Sequence, residues 1–413
     1  MVTGGGRGRA KTPASDLYFT SRPRAEKFLS AAETPVLWIA WKMLIGNRVK
    51  YLGIVFGVVF AALLIAQQSS IFCGLMLLTI SQIRDTQGPD IWVMDRNVQY
   101  VDDIKPLSDT ELFRVKGVPG VEWAVRFYKG VVRARLEEGT YEQMIILGID
   151  DDTLVGAPEG VFMGSIADLR KPDAVIIDEV GYKRIWPGQP LRLGRVFEMN
   201  DRRAVIVGIT TASKTFQSFP IVYTRYGQAV QYAPRERKVL SFILAEAAPG
   251  VPAAEACRRI EERTGLQALT QRQFVSKTIR HYLTKTGIPI NFGITVLLGF
   301  LVGTAIAGQT FYLFTVENIR QFGALKAMGT SNWMILVMVL SQALQVGVVG
   351  YGVGVGLAAL FGVFTKGLGR LSFYMPWEVL VMTAVAVLVI VLLASLLSIR
   401  KVLVVDPAIV FRG

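Results

Sequence analysis

The stretch YLGIVFGVVFAALLIAQQSSIFCGLMLLTISQI, residues 51–83, contains no charged side chain and exceeds the roughly 20 residues that a helix needs to span a bilayer. Three further apolar stretches of spanning length occur at 288–315, 333–365 and 376–399. A long, more polar segment separates the first stretch from the others. We therefore predict a membrane protein with four transmembrane α-helices, one plus three, and a large extracytoplasmic α+β domain between the first and second spans.

The composition agrees with a membrane protein. Of the 413 residues, 52% are hydrophobic and only 19% are charged, which is too apolar for an ordinary soluble chain. The formal net charge is +13, and much of the excess lies beside the spans. The positive-inside bias and anionic lipid headgroups explain such an excess, so we expect no nucleic-acid partner.

The basic residues also predict the orientation of the chain. The first 50 residues hold nine lysines and arginines against three acids, and Arg400, Lys401 and Arg412 follow the last span. Cytoplasmic flanks carry an excess of positive charge. We therefore expect both termini, including the tail 400–413, in the cytoplasm and the segment between the first two spans outside.

Two segments precede the first span. Residues 1–33 show no sustained period, which is typical of a flexible cytoplasmic arm. Residues 34–50 are apolar, contain tryptophan and are flanked by basic residues, which favours an elbow helix lying in the cytoplasmic interface. The same residues could instead extend the first span inward, and the sequence leaves both interpretations open.

The extracytoplasmic region, 84–269, has the pattern of a mixed α and β domain. A strand at 90–95 and a helix opened by a capping box at Ser108 precede a hairpin of two strands, 121–136 and 141–149. A β-rich block follows, and a strand–helix–strand unit at 241–246, 252–264 and 266–269 closes the domain. The predicted strands of the inserted block are 174–177, 190–193, 204–210 and 221–224.

Helical stalks are predicted to join this domain to the membrane. A helix over 51–83 would be about 50 Å long at 1.5 Å per residue, so its outer end extends beyond the bilayer. On the return side, Phe274, Thr278 and Tyr282 recur at helical spacing within 270–287. We expect the two stalk helices to pack as a pair.

No catalytic or metal-binding constellation is visible in the sequence. His281 is the single histidine, which excludes zinc motifs built on paired histidines and leaves a Ser-His-Asp triad dependent on a stalk residue. The Gly-rich segment 4–12 lacks the glycine that precedes the lysine of a phosphate-binding loop. We therefore expect no metal, no cofactor and no enzymatic activity on this chain, and Cys73 and Cys257 are predicted to be unpaired.

The spans carry glutamines but no charged residue at their centres, which argues against ion-coupled transport. They also carry glycines at a spacing of four residues, which lets helices approach closely. These glycines could pack against helices of the same chain or form a dimer interface, and the sequence leaves both interpretations open. They are Gly299, Gly303, Gly350, Gly352, Gly354 and Gly356.

The connection between the second and third spans, 316–332, reads VENIRQFGALKAMGTSN and is cytoplasmic in the predicted topology. A short helix there would expose apolar groups at the membrane edge, which favours a partner surface. A connector that rests on lipid headgroups is the alternative. The apolar residues concerned are Ile319, Phe322, Leu325 and Met328.

This connection carries a family resemblance. The pattern Glu317-x-x-x-Gln-Phe-Gly-x-Leu-Lys-Ala-Met-Gly-x-Ser331 resembles the permeases of the MacB/FtsX superfamily, most closely the DevC-type branch. The ending Asp406-Pro407-Ala408 with Phe411, and the helix followed by Pro-Gly-Val at 112–121, are similar as well. The resemblance covers residues 36–413. One departure is Gln342, which stands where several members of the superfamily have an acid.

The resemblance implies the permease subunit of an ATP-driven exporter in the inner membrane, with amphiphilic, lipid-like or peptide cargo. A separate ATPase subunit, present twice, would bind ATP and Mg, because residues 1–50 leave no room for the ATPase that MacB carries on its own chain. A second permease, as a homodimer or heterodimer, a periplasmic adaptor and an outer-membrane channel would complete the complex. The implied coupling residues are Glu317, Arg320, Phe322, Gly323, Leu325, Lys326, Met328 and Gly329, with Asp406, Pro407 and Phe411 in the tail.

Two alternatives within the same superfamily stay open. In the LolC/LolE type, the permease extracts lipoproteins and hands them to a periplasmic carrier. In the FtsX type, the permease transmits a signal to a cell-wall hydrolase.

Overall fold

The computed structural model describes residues 38–233, 240–368 and 371–403. Within these ranges, four helices have the length and composition of membrane spans: α2, Arg48–Asp85; α8, Ile288–Glu317; α10, Asn332–Leu368; and α11, Trp377–Leu403. Each contains one of the predicted apolar stretches almost completely. The helices continue a few residues beyond the apolar stretches, because a helix end is decided by capping and not by hydropathy.

The segment before the first span is a separate helix. Residues 38–46 form helix α1, and a bend at Asn47 separates it from α2. The Asn47 carbonyl oxygen accepts from the Tyr51 N–H at 3.0 Å, and its side-chain oxygen accepts from the Lys50 N–H at 3.4 Å. Asn47 therefore begins α2 in the manner of an N-cap residue. The segment is thus a helix of its own, and its interfacial position stays a prediction.

The described residues between α2 and α8 form ten strands and several short helices. The helices are α3, Thr110–Lys116; the 3₁₀-helix Ile166–Arg170; α4, Glu179–Ile185; α5, Tyr226–Tyr232; α6, Ala253–Thr264; and α7, Gln271–Lys285. The strands are β1, Ile91–Met94; β2, Val121–Arg135; β3, Tyr141–Ile149; β4, Val161–Gly164; β5, Ala174–Asp178; β6, Val196–Met199; β7, Arg202–Thr210; β8, Ile221–Arg225; β9, Phe242–Ala247; and β10, Gln267–Thr270.

The described strands form one continuous ladder, in the order β10-β1-β9-β2-β3-β8-β5-β7-β4, with β6 paired to β2 and β7. The long strand β2 joins its two parts. Residues 121–127 of β2 pair with β9, and residues 128–135 pair with β3. The first part contains the two strand–helix–strand ends of the domain, and the second contains the inserted β-rich block, as the sequence predicted.

Two details of the predicted domain are wrong. Residues 190–193 are not a strand, because the Tyr182 hydroxyl donates to the Pro190 carbonyl and accepts from the Arg192 N–H, so this backbone bonds to a side chain. The strand lies at Val196–Met199 instead. The capping box at Ser108 is also absent, because the Ser108 hydroxyl lies 2.7 Å from that of Thr110 and the Glu111 carboxylate pairs with Arg114.

The sheet separates two apolar clusters. Ile91 and Val93 of β1 belong to a cluster that includes Leu112 of α3 and Ile260 of α6. The alternate residues Trp92 and Met94 belong to the other cluster, which includes Phe274 of α7. Side chains alternate between the faces of a strand, so the helices α3 and α6 and the stalk helix α7 occupy opposite faces.

The chain divides into two compact units. One comprises the described parts of 1–58, 303–350 and 387–413, and the other comprises 59–302 and 351–386 without the undescribed residues. The 316–332 connection lies in the first unit. The domain and the stalk helix lie in the second.

Candidate functional site

The connection between α8 and α10 is a short helix with an ordered link at each end. Helix α9, Ile319–Ala327, begins one residue after Asn318, whose carbonyl oxygen accepts from the Phe322 N–H at 3.1 Å. The Asn318 side chain donates to the Phe314 carbonyl of α8 at 2.8 Å. These hydrogen bonds fix the start of α9 relative to the end of α8.

The end of α9 explains the Met-Gly-Thr-Ser sequence. Gly329 has φ of +95°, and the Gly329 and Thr330 N–H groups donate to the carbonyls of Lys326 and Leu325. This is the Schellman arrangement, in which a left-handed glycine satisfies the last carbonyls of a helix. The Ser331 hydroxyl then accepts from the Met334 N–H at 3.2 Å and caps α10. Gly329 therefore ends α9, and the whole connection is a defined structure.

The predicted coupling residues divide into a buried and an exposed set. Phe322 is 1% exposed and Gly323 is buried, so the expectation that Phe322 is exposed is wrong. Phe322 and Gly323 therefore mark the buried side of α9. Leu325 and Lys326 are half-buried, whereas Met328 is 73% exposed and Glu317 and Arg320 are exposed. The surface open to a partner is thus more polar than predicted, with Met328 as its apolar member.

Helices α1 and α2 brace this connection within the same unit. Lys50 in the first turn of α2 forms an ion pair with Glu317 at the end of α8. Gln342 of α10, fully buried, donates to the Ala40 carbonyl of α1 at 2.9 Å. A groove of about 660 Å³ lies between α1 and the start of α9, lined by Trp38, Ile39, Lys42, Met43, Gly46, Asn47, Asn318 and Gln321.

The neutral amide of Gln342 suits its surroundings. Its Nε2 has the Ala40 carbonyl as partner, whereas its Oε1 has no hydrogen-bond partner among the described residues. A carboxylate at this position would be a buried charge facing a carbonyl oxygen, which is costly. Gln342, noted above as a departure from the family pattern, therefore makes a contact between α1 and α10 that requires a hydrogen-bond donor.

The predicted glycine stripes have two different roles. A Cβ added at Gly354 would lie 2.6 Å from the Ala62 Cβ and 2.8 Å from the Val59 carbonyl oxygen, so Gly354 permits close packing of α10 on α2. Gly299 lies similarly against Leu64, and Gly303 and Gly350 are buried. Gly352 and Gly356 are exposed with nothing within 4 Å of an added Cβ. The first set packs within the chain, and the outward pair remains open to lipid or a second chain.

Tyr282 connects the stalk helix to both parts of the domain in the second unit. Its ring lies 5.4 Å from that of Tyr100, in the loop after β1, and 5.3 Å from that of Phe216, in the inserted block. The single histidine, His281, also stacks on Tyr100, with ring centroids 4.4 Å apart. Burial, with the Asp102 charge nearby, raises the pKa of Tyr282. The stalk helix therefore contacts the outer-end block and the inserted block at one side chain.

The loop after β1 is held between the stalk helix and the central strand. Lys277 of α7 donates to the Val98 carbonyl, and Lys129 of β2 donates to the Val101 carbonyl at 3.1 Å and forms an ion pair with Asp102. Lys129 is 4% exposed, and burial lowers its pKa while Asp102 opposes the shift. Lys129 lies where β2 changes its pairing partner from β9 to β3. The loop after β1 therefore contacts the junction of the two parts of the sheet.

The domain end of α2 is also fixed. Asp85 accepts from the Ser213 N–H at 2.7 Å and from its hydroxyl at 3.0 Å. Gln271, at the start of α7, donates to the Ile83 carbonyl at 2.9 Å. The predicted contact between the two stalk helices is therefore made where they reach the domain. Sequence reasoning missed the Ser213 loop, which carries no periodic signal. The predicted tail residues Asp406, Pro407 and Phe411 lie outside the described residues.

Together these features define a membrane protein whose spans and single large domain are joined by helices at both ends of the domain. Residues 51–263 match the family model of the MacB-like periplasmic core domain, and residues 293–407 match that of the FtsX-like permease C-terminal region. The chain belongs to the MacB/FtsX family of ABC transporter permeases. The DevC-type branch is not distinguished by these matches.

Relatives of similar sequence occur in mycobacteria. An uncharacterized ABC transporter permease of Mycobacterium tuberculosis is 28% identical over 334 residues, which cover 80% of this chain and 86% of the relative. A second, from Mycobacterium bovis, is 26% identical over 309 residues, covering 75% and 80%. The periplasmic region of MacB from Actinobacillus actinomycetemcomitans is 13% identical with a TM-score of 0.34, covering 49% of this chain and 96% of that one.

Proposed function

We propose that this chain is the permease subunit of an ABC exporter in which a separate ATPase drives movement of an extracytoplasmic domain. The observation that carries the proposal is the 316–332 connection: its short helix α9 is capped at its end and holds the buried Phe322, and Glu317, Arg320 and Met328 are exposed along the connection. A rigid element with an exposed polar and apolar face is what a partner needs to transmit force. The 316–332 segment is thus the coupling element.

The proposed complex contains two permeases and two ATPase subunits. ATP and Mg are bound by the ATPase, as in the DevC-type arrangement, and this chain contributes no cofactor site. The chain lies in the inner membrane with both termini cytoplasmic. A periplasmic adaptor and an outer-membrane channel receive the cargo, which is amphiphilic, lipid-like or a peptide.

The contacts of the second unit support a mechanical route into the domain. A displacement of α7 would act on Tyr282 and Lys277, and through the 97–103 loop on Lys129 in the centre of the sheet. A displacement of α2 would act on the Ser213 loop through Asp85. Both stalk helices therefore hold the domain by specific side chains, and the substrate need not pass between the spans.

The test is coupling in a reconstituted complex. Co-purification from the native membrane first identifies the ATPase, and its activity is then measured with wild-type permease and with Arg320→Glu/Met328→Asp. We expect the double variant to lose most stimulation of the ATPase while keeping its thermal unfolding temperature, because both side chains are exposed. Arg133→Glu/Tyr141→Asp in the domain hairpin is the matched control. Unchanged stimulation by Arg320→Glu/Met328→Asp would contradict the coupling role.

The proteins recovered with the complex decide among the alternatives. A coiled-coil adaptor supports the exporter with an outer-membrane channel. A soluble lipoprotein carrier without an adaptor supports the LolC/LolE type, and a cell-wall hydrolase supports the FtsX type. Absence of any ATPase would overturn the proposed function.

A further inference from the structure

A groove of about 480 Å³ lies beside the domain end of α2, within the second compact unit. Its volume is within the range of about 300–1,000 Å³ that small-molecule sites occupy. One wall is formed by α2 and Ile279 of α7, and the other by the segment that leads into α11. The lining residues are Phe72, Cys73, Met76, Leu77, Ile80, Ile279, Tyr374, Pro376, Trp377 and Glu378.

The segment that forms the second wall is held firmly against α2. The Tyr374 N–H donates to the Ser70 carbonyl at 3.0 Å. A Cβ added at Gly74 would lie 2.6 Å from the Ser372 carbonyl oxygen, so the two backbones touch there. Phe373 packs on Phe361 with ring centroids 6.3 Å apart. The groove is therefore formed before any ligand arrives, which lowers the entropic cost of binding.

The chemistry of the groove is asymmetric. Its long wall is aliphatic and aromatic, whereas its other end carries one carboxylate, Glu378, in the first turn of α11. Tyr374 is 49% exposed and Trp377 is 68% exposed, as expected for the aromatic residues that mark a membrane interface. None of the ion pairs among the described residues involves Glu378.

These properties fit a cation with an apolar tail. A carboxylate flanked by exposed aromatic rings attracts an ammonium group by charge and by cation–π contact. The wall of α2 then accommodates a hydrocarbon chain. An anionic phospholipid headgroup would be repelled by Glu378, and an apolar face of a second chain would leave that carboxylate buried without a partner, which is costly.

We propose that this groove binds cationic amphiphiles, with the head at Glu378 and Trp377 and the tail along Cys73, Met76 and Ile80. The inference rests on the proposed function, and it names amphiphilic amines as the substrate class of that exporter. Glu378 is the specificity-determining residue, because it alone among the lining residues distinguishes one headgroup charge from another.

Cys73 gives a direct probe of occupancy. The chain has two cysteines, both free, and Cys257 is 4% exposed with its pKa raised by burial to about 12. A maleimide added to the full-length chain in lipid nanodiscs should therefore label Cys73, and Cys73→Ala identifies that signal. The labelling rate is measured with dodecyltrimethylammonium, dodecyl sulfate or dodecanol present.

We expect dodecyltrimethylammonium to slow labelling at a concentration about tenfold lower than dodecyl sulfate, as one charge and one cation–π contact would give. Glu378→Gln should remove this preference, and Glu138→Gln, in an exposed turn of the domain, should keep it. Equal protection by all three compounds would overturn the headgroup assignment. Protection by none, or a Cys73 made accessible only by dissociating a dimer, would overturn the binding site.

If Cys73 does not react with the maleimide, a second measurement tests the same proposal. Equilibrium binding of radiolabelled dodecyltrimethylammonium to wild type and Glu378→Gln gives the same comparison, and equal binding would overturn the proposal. Both measurements are made without an ATPase. Failure here therefore leaves the coupling role of α9 standing, and failure of ATPase stimulation leaves this binding result standing.

Discussion

Tyr282 of the stalk helix lies edge-on to Tyr100, with ring centroids 5.4 Å apart and an interplanar angle of 73°. The same Tyr282 ring lies 5.3 Å from Phe216 of the inserted block. One stalk side chain thus touches both parts of a domain that the sheet order joins only through β2 and its neighbours. The contact can be tested by substitutions that leave the membrane spans unchanged.

Removing the Tyr282 ring should loosen the domain from the stalk. Tyr282→Ala is expected to cost about 3–5 kcal/mol of local stability, because a large side chain that is 6% exposed is removed. Tyr282→Phe keeps the ring contacts and should keep the hydrogen-exchange protection of the wild type. Hydrogen exchange of the 97–103 and 213–219 loops measures the effect. Unchanged protection of both loops in Tyr282→Ala would show that the ring does not connect them.

The Lys129–Asp102 pair should respond unequally to loss of either partner. Asp102→Ala leaves the Lys129 charge 4% exposed and unpaired, with an expected cost of about 3–5 kcal/mol. Lys129→Met leaves Asp102, which is 17% exposed and can be hydrated, so the cost should be smaller. Thermal unfolding of the full chain compares the two. Equal losses, or a larger loss in Lys129→Met, would contradict this assignment of the buried charge.

The buried and the exposed glycines of α10 should differ in how well they tolerate a larger side chain. Gly354→Val should destabilise the packing of α10 on α2 by about 1–3 kcal/mol, because the added atoms meet backbone and Ala62. Gly352→Val adds atoms where nothing lies within 4 Å and should leave monomer stability unchanged. Thermal unfolding in detergent tests both. A change of oligomeric state in Gly352→Val alone would assign the outward face to a second chain.

Substitutions of Phe322 and Met328 should distinguish residues that anchor the 316–332 connection from residues that contact a partner. Phe322→Ala should lower the unfolding temperature, since its side chain is 1% exposed and the loss of a buried ring costs about 3–5 kcal/mol. Met328→Asp should leave the unfolding temperature unchanged and lower ATPase stimulation, because Met328 is 73% exposed. A stable Phe322→Ala that fails only in stimulation would return Phe322 to the contact surface.

The features that could be predicted from the sequence are those with a local period. Continuous apolar runs predicted the four long helices, and Phe274 and Tyr282 predicted the inward face of α7, where both are buried. The turn Glu137-Glu-Gly-Thr140 between two strand-like runs predicted the hairpin of β2 and β3. Each of these signals arises from neighbouring residues alone.

The remainder depends on partners that are distant in sequence. The sequence pattern predicted an exposed Phe322, yet its side chain is 1% exposed in the fold. The 190–193 stretch has strand character, yet Tyr182 supplies its hydrogen bonds. In the sequence, Lys129 has the pattern of an exposed lysine in a strand, and only the fold places Asp102 beside it. Single-sequence patterns contain no information on such pairings.

The first and last strands of the domain are neighbours. β1, which follows α2, pairs antiparallel with β10, which precedes α7, and Ile91 stands opposite Thr270. The chain therefore leaves and re-enters the helical part at one place, as in proteins that accept inserted modules. A chimera that exchanges residues 91–270 with those of a relative carries this strand pair with it, and it must match the contacts of the block with α2 and α7, such as Asp85–Ser213 and Tyr282–Tyr100. The domain and the membrane-spanning helices can then diversify separately, each inherited as its own block.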